Sequence, residues 1–222
     1  ASIQSEKGEG TLVLASSSPR RHDILKSMGF DFEVIPPDFQ EPLPNGVSAH
    51  EYVQNLALSK ANAVAQTQFA GLIIAADTVV VDGPNILGKP HRPIDAEAML
   101  RQLRGKEHQV VTGVAVINTA NGAIASDFKS SVVNMRDYSD AELQRYVSTG
   151  GSIGKAGAYA IQDSVFHPVE SIDGCYLNIV GLSPCALIDL MSKLGVTFTP
   201  RDNWQPPEAC TLCPLRYSEV NP

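Results

Sequence analysis

The chain has 222 residues, 43% hydrophobic and 18% charged, enough apolar material for one large domain or two small lobes and too much for wholesale disorder. Seventeen basic against 24 acidic residues leave a net charge of −7, so neither nucleic acid nor an anionic membrane is expected as a partner. The longest apolar stretches, LIIAADTVVV and VVTGVAVI, fall short of the ~20 residues that span a bilayer.

The opening ASIQSEKGEG lacks an apolar centre and reads as a solvated, flexible arm over 1–10. TLVLA (11–15) reads as a buried strand entering the polar turn SSSPRR. Pro19 suits the first turn of a helix that Ile24, Leu25 and Met28 continue and Gly29 ends. FDFEVI (30–35) alternates like a strand, and a Pro-rich loop follows. Ser48 with Glu51 predicts a capped helix over about 48–66, its face marked by Val53, Leu56, Ala57, Ala61 and Val64. LIIAA (72–76) is a buried strand that stops at Asp77, with VVV (79–81) as a continuation.

Asp95 reads as the cap of a helix that runs through Leu103 and closes at Gly105. HQVVTGVAVIN and the stretch 123–136 form a hairpin about Asn121-Gly122. Ser139 with Glu142 opens a further helix, and Gly150, Gly151, Gly154 and Gly157 make a loop. YAIQ (159–162) and CYLNIVGL (175–182) read as strands, and Ser183-Pro184 starts a last helix. The tail 196–222 has little periodicity and is expected to be partly disordered. Alternating strands and helices interrupted by a long hairpin predict an α/β protein with a mixed sheet.

Generic motifs fail: GGSIGKA would need Gly and Ser or Thr where Thr149 and Ala156 stand to be a phosphate loop. Four other constellations remain. S-S-S-P-R-R brings Ser16, Arg20 and Arg21 to a helix N-terminus, a setting for anionic oxygens or a plain cap with exposed arginines. Asp77 at the end of a buried run is a capping or a catalytic carboxylate. Lys89 in G-K-P and the Lys155 and Gln162 of K-A-G-A-Y-A-I-Q are surface groups or parts of a site. Cys175, Cys185, Cys210 and Cys213 are too few for a disulfide scaffold, which suggests a reducing, cytoplasmic setting. Cys210-x-x-Cys213 has ligand spacing, but no second such pair completes a zinc site.

The order of motifs carries more than any one of them. LASSSPRR, a Pro-rich loop with Glu41, LALSKA, AADTVV, LGKP, GKEHQVVTGVAV, KAGAYAIQD and a terminal IVGL segment resemble, in series, the Maf family over about 11–195. Ser183 departs from the family's Gly-Leu-Pro. The resemblance implies an elongated mixed β-sheet flanked by helices, with two lobes around a cleft, like the inosine-triphosphate pyrophosphatases. It also implies hydrolysis of a nucleoside triphosphate to monophosphate and pyrophosphate with Mg²⁺ or Mn²⁺, and pairing as a homodimer. Carried onto this sequence, Asp77, Glu41 and Lys89 are catalytic, Glu41 and Asp77 hold the metal, and Ser16, Arg20, Arg21, Lys60, Thr78, Lys155 and Gln162 bind substrate. Arg20, Thr78 and Gln162 match the branch acting on dTTP and UTP. The alternative is a nucleotide-sensing regulatory module that restrains division without turnover.

Overall fold

The computed structural model describes residues 2–5, 11–67, 71–201, 204–211 and 213–217. In chain order the elements are β1 (Ser2–Ser5), β2 (Thr11–Leu14), α1 (Pro19–Met28), β3 (Glu33–Val34), α2 (Ala49–Ala65), β4 (Gly71–Asp82), β5 (Asn85–Leu87) and α3 (Pro93–Leu103). The long hairpin β6 (Glu107–Asn118) and β7 (Ala123–Met135) follows, then α4 (Asp140–Ser148) and a 3-10 turn at Ala156–Ala158. The chain continues through β8 (Val169–Asp173), α5 (Tyr176–Val180), α6 (Pro184–Lys193), β9 (Val196–Thr199) and α7 (Pro214–Tyr217).

Seven strands form one mixed sheet in the order β3-β2-β4-β6-β7-β8, with β5 paired to the far end of β4. β2 runs parallel to both β3 and β4, and the pairings from β4 through β8 are antiparallel. Helix α2 covers one face, where Ala57, Ala61 and Val64 pack on Val13, Ile73, Ala75 and Ala115. The other face carries α1, α5 and α6 through Leu25, Met28, Val180 and Leu187. A separate apolar cluster joins α3 and α4 to Val80, Val110, Val133 and Tyr159 and makes the second lobe. The predicted α/β fold with a mixed sheet and flanking helices is the fold of the chain.

Several local expectations change. Asp77 does not end a strand: β4 runs unbroken from Gly71 to Asp82, with Asp77 opposite Gly113 of β6. Of FDFEVI only Glu33 and Val34 pair. YAIQ is a bend, not a strand, because Gly157 and Ala158 both take left-handed φ values of 66° and turn the chain before it. CYLNIVGL folds into the short helix α5, capped by Cys175 Sγ accepting from the Asn178 amide and closed at Gly181, where φ is 136°. Val169–Asp173, not singled out in the sequence, is the outer strand.

The ends also differ from an arm and a loose tail. Within 1–10, Ser2–Ser5 pairs antiparallel with Val196–Thr199. Within 196–222, Phe198 stacks on Phe30 with ring centroids 3.6 Å apart, and Cys210 and Cys213 sit in the α1–α6 core. The apolar core therefore continues past 195, and of the two ends only residues 1, 6–10, 202–203, 212 and 218–222 lie outside the described set.

Candidate active site

The site begins with the close approach of α2 to the sheet. Tyr52, Leu56 and Lys60 recur every four residues, so they share one face of α2. Gly113 is what lets that helix lie so near: a Cβ there would stand 2.3 Å from the Val53 carbonyl oxygen. The strand residue opposite Gly113 is Asp77, and Lys60 reaches it from the helix.

Lys60 Nζ donates to Asp77 Oδ1 at 2.5 Å and to Glu41 Oε1 at 2.6 Å. Lys89 Nζ stands 3.6 Å from the same Glu41 oxygen. Asp77 is 2% exposed and the Glu41 side chain 39%, so one carboxylate lies under the ammonium and the other faces solvent. Partial burial alone would raise the Glu41 pKa, but its hydrogen bond and charge attraction to Lys60, with Lys89 adding, hold it below the ordinary carboxylate value. A buried carboxylate that loses its cation costs about 3–5 kcal/mol, so Lys60 and Asp77 depend on each other.

The arginines divide their work. Arg21 is buried, and its guanidinium donates to Gly181 O (2.8 Å), Ser16 Oγ (3.2 Å) and Thr78 Oγ1 (3.0 Å). It ties α1 to β4 and to the end of α5. Thr78 in turn meets Thr112 Oγ1 at 2.9 Å. Arg20 is half-buried and donates Nε to the Val180 carbonyl at 3.2 Å. Burial lowers the pKa of both arginines.

These groups converge on one cleft of about 380 Å³. Ser16, Arg20, Arg21 and Thr78 line it on one side, and Glu41, Lys60 and Lys89 on another. Gln162 is exposed and also lines the cleft, with Tyr159, Ala160 and Ile161. Two of the expected residues lie off the lining. Asp77 sits beneath Lys60, and Lys155 turns its ammonium to the Gly151 carbonyl.

Among the described residues, no three His, Cys, Asp or Glu side chains group to hold a metal ion. Glu41 Oε1 and Asp77 Oδ1 are hard oxygen donors that converge on the Lys60 ammonium, and Mg²⁺ commonly takes one or two carboxylates plus substrate phosphates. By its chemistry the pair would suit a hard divalent cation that takes its remaining ligands from elsewhere. Away from the cleft lining, Cys213 Sγ comes within 4.0 Å of Cys185 Sγ, a neighbour the C-x-x-C spacing does not reveal.

Sequence reasoning missed three supports of the site. Tyr52 donates its hydroxyl to the Pro42 carbonyl at 2.7 Å and so fixes the loop that carries Glu41; its place eight residues before Lys60 was the available signal. Gly113 inside an otherwise apolar strand was the second. The third is His108, which meets the Tyr159 hydroxyl at the cleft wall.

A family model for Maf-like proteins matches residues 11–194. A curated relative from Dehalococcoides mccartyi, named dTTP/UTP pyrophosphatase, is 47% identical over 210 residues, covering 95% of this chain and 94% of its own. A protein of the same name from Dictyoglomus thermophilum is 46% identical over 186 residues, covering 83% and 96%. Among solved structures, a nucleoside-triphosphatase / dITP/XTP pyrophosphatase from Mycobacterium abscessus aligns with a TM-score of 0.45 and 14% identity over 83% of this chain and 95% of that one. Identity approaching one residue in two, sustained over nearly the full length of the first relative, leaves no room for a chance likeness, and the chain belongs to the Maf-like protein family.

Proposed function

We propose that this protein hydrolyses dTTP and UTP to the monophosphate and pyrophosphate. The observation that carries the reading is the pair of carboxylates, Glu41 and Asp77, held on one lysine at a cleft that Arg20 and Lys89 also face. A triphosphate needs cations along its length, and α-phosphorus attack needs an oriented, deprotonated water. Glu41 and Asp77 would hold Mg²⁺ or Mn²⁺, which would supply neutralisation of charge on the phosphoryl oxygens.

The chain's own residues do the rest. Arg20 and Lys89 grip the phosphates, and Lys60 orients both carboxylates. Asp77 accepts the proton of the attacking water at Oδ2, since Oδ1 is held by Lys60. Arg21, Ser16 and Thr78 bond chiefly to one another, so they set the shape of the phosphate side. Gln162 on the cleft lining offers a donor and an acceptor to a pyrimidine edge. Two carboxylates beside the cations favour turnover over a sensor that binds without reacting. Among the described residues, no helix is long and apolar enough to cross a membrane. A cytoplasmic location and pairing of two copies go with this reading on the family resemblance alone.

The test is a panel of nucleoside triphosphates with Mg²⁺, with products separated. UTP and dTTP should lead the panel and yield pyrophosphate with the monophosphate. Orthophosphate with the diphosphate would overturn the proposal.

A further inference from the structure

At the cleft wall lies a polar pair that none of these steps uses: Tyr159 on the lining and His108 off it. His108 on β6 is 3% exposed and Tyr159 6%. Their side chains meet at 2.8 Å, Nε2 to hydroxyl, across 51 residues of sequence, with the rings edge to face. Burial pushes the imidazole down to about 4, with Asp82 opposing weakly, and burial also raises the tyrosine. Both partners are therefore neutral near pH 7. Among the described residues His108 Nδ1 is buried with no hydrogen-bond partner, a cost that an apolar pair filling the same space would not carry.

The pair adjoins a strained stretch of backbone. Tyr159 follows two consecutive left-handed residues, Gly157 and Ala158, the second of which is not glycine. Such a backbone persists only where its surroundings over-determine it. The Gly157 amide donates to Gly88 O and the Gly154 amide to Pro90 O, which zips this loop to the segment carrying Lys89. Beyond Tyr159 the chain runs through Ala160 and Ile161 to Gln162 along the cleft, without regular structure. The hydroxyl bond to His108 ties this stretch to the start of β6, where His108 pairs with Val133 of β7, beside a backbone hydrogen bond of Ala160 to Tyr146 and the packing of Ile161.

We propose that His108 and Tyr159 are positioning residues: their buried hydrogen bond sets the place of Ala160–Gln162 and thereby the selection of the base. The substrate part rests on the pyrimidine-nucleotide reading above; the tether itself does not. Neither residue is assigned contact with the reacting phosphates.

The experiment compares wild type, Tyr159→Phe, His108→Leu and His108→Gln by two readouts. The first is amide hydrogen exchange of the peptide spanning 155–163, which needs no substrate. The second is kcat and KM for UTP and for GTP. Tyr159→Phe keeps the ring and should speed exchange in that peptide at least about 10-fold while leaving the α2 peptide unchanged. It should raise KM for UTP by about 10-fold, change kcat less than about threefold, and lower the UTP-over-GTP ratio of kcat/KM by about 10-fold. His108→Leu should do the same, and His108→Gln, which can still meet the hydroxyl, should recover part of both effects. Unchanged exchange overturns the tether. Faster exchange with an unchanged UTP-over-GTP ratio overturns its role in base selection. A wild-type protein that turns over neither nucleotide sinks the pyrophosphatase reading, and exchange alone then decides the tether.

Discussion

Lys60, Asp77 and Thr78 ride on a 17-residue helix and a 12-residue strand, whereas Ala156 to Gln162, at the same cleft, has one short turn and two left-handed residues in a row. The first side takes its geometry from ladders: β4 is paired with β2 and β6, and a missing Cβ at Gly113 sets the helix height. The second side has no ladder. It is held by separate hydrogen bonds, Gly157 to Gly88, Tyr159 to His108 and the Ala160 backbone to Tyr146, and by packing of Ala158, Tyr159 and Ile161. Chemistry that needs fixed distances sits on the first. In the proposed reading, recognition, which must admit and release a base, falls to the second.

The contrast can be broken from either side. The largest effect should come from Asp77→Asn, which keeps the size of the side chain and removes its charge. Loss of a general base costs about 10²–10⁴-fold in rate, so kcat/KM for UTP should fall by that factor in a folded protein. Turnover within about threefold of wild type would remove Asp77 from the mechanism.

Lys60→Met probes the same side through stability. Asp77 would then be buried without its ammonium, at a cost of about 3–5 kcal/mol, read as a lower urea midpoint with an unchanged m value. A midpoint equal to wild type would show that the pair is not needed for folding.

Gly157→Ala tests the loop side. The added Cβ would lie 2.7 Å from Val80 Cγ2 at a φ of 66°, which overpacks the wall and strains the backbone by about 1–3 kcal/mol. The expected signature is local: the UTP-over-GTP ratio changes while the urea midpoint moves less than in Lys60→Met.

The smallest effect is remote from the cleft and serves as a control. Glu142 completes the capping box of α4: the Ser139 backbone and hydroxyl and then Arg136 hold its carboxyl down at about 2. Its folded value lies below the ordinary 4.5, so its contribution is present above about pH 4.5 and is lost as pH falls toward 2. Glu142→Gln should lower Tm slightly at pH 7, and the difference from wild type should shrink as pH falls through that window. A constant difference would mean that the carboxylate charge is not what the cap uses.

The same contrast governs what was legible in the sequence. Helix α2 and the β6–β7 hairpin were readable because long elements repeat their signals: five apolar positions on one face, Asn121-Gly122 between two runs. Asp77 was recognised as a buried carboxylate but misplaced at a strand end, because a polar residue inside an apolar run looks like a stop. Its partner Lys60 makes it tolerable there, and that pairing is tertiary. YAIQ and CYLNIVGL went wrong for another reason. Runs of four to eight apolar residues do not distinguish a buried strand from a buried bend or short helix. Gly157 and Gly181 decided those cases, through φ values that the sequence does not state. Of the site residues, Lys155 was placed by its motif but turns to Gly151, and nothing in the motif foretold that contact.

The central claim is that the carboxylate side of the cleft directs water to the α-phosphorus. Hydrolysis of UTP in ¹⁸O-labelled water, with mass analysis of both products, tests it most directly. The account predicts the label in the monophosphate, with unlabelled pyrophosphate. Label in the pyrophosphate would mean attack at the β-phosphorus and would contradict it.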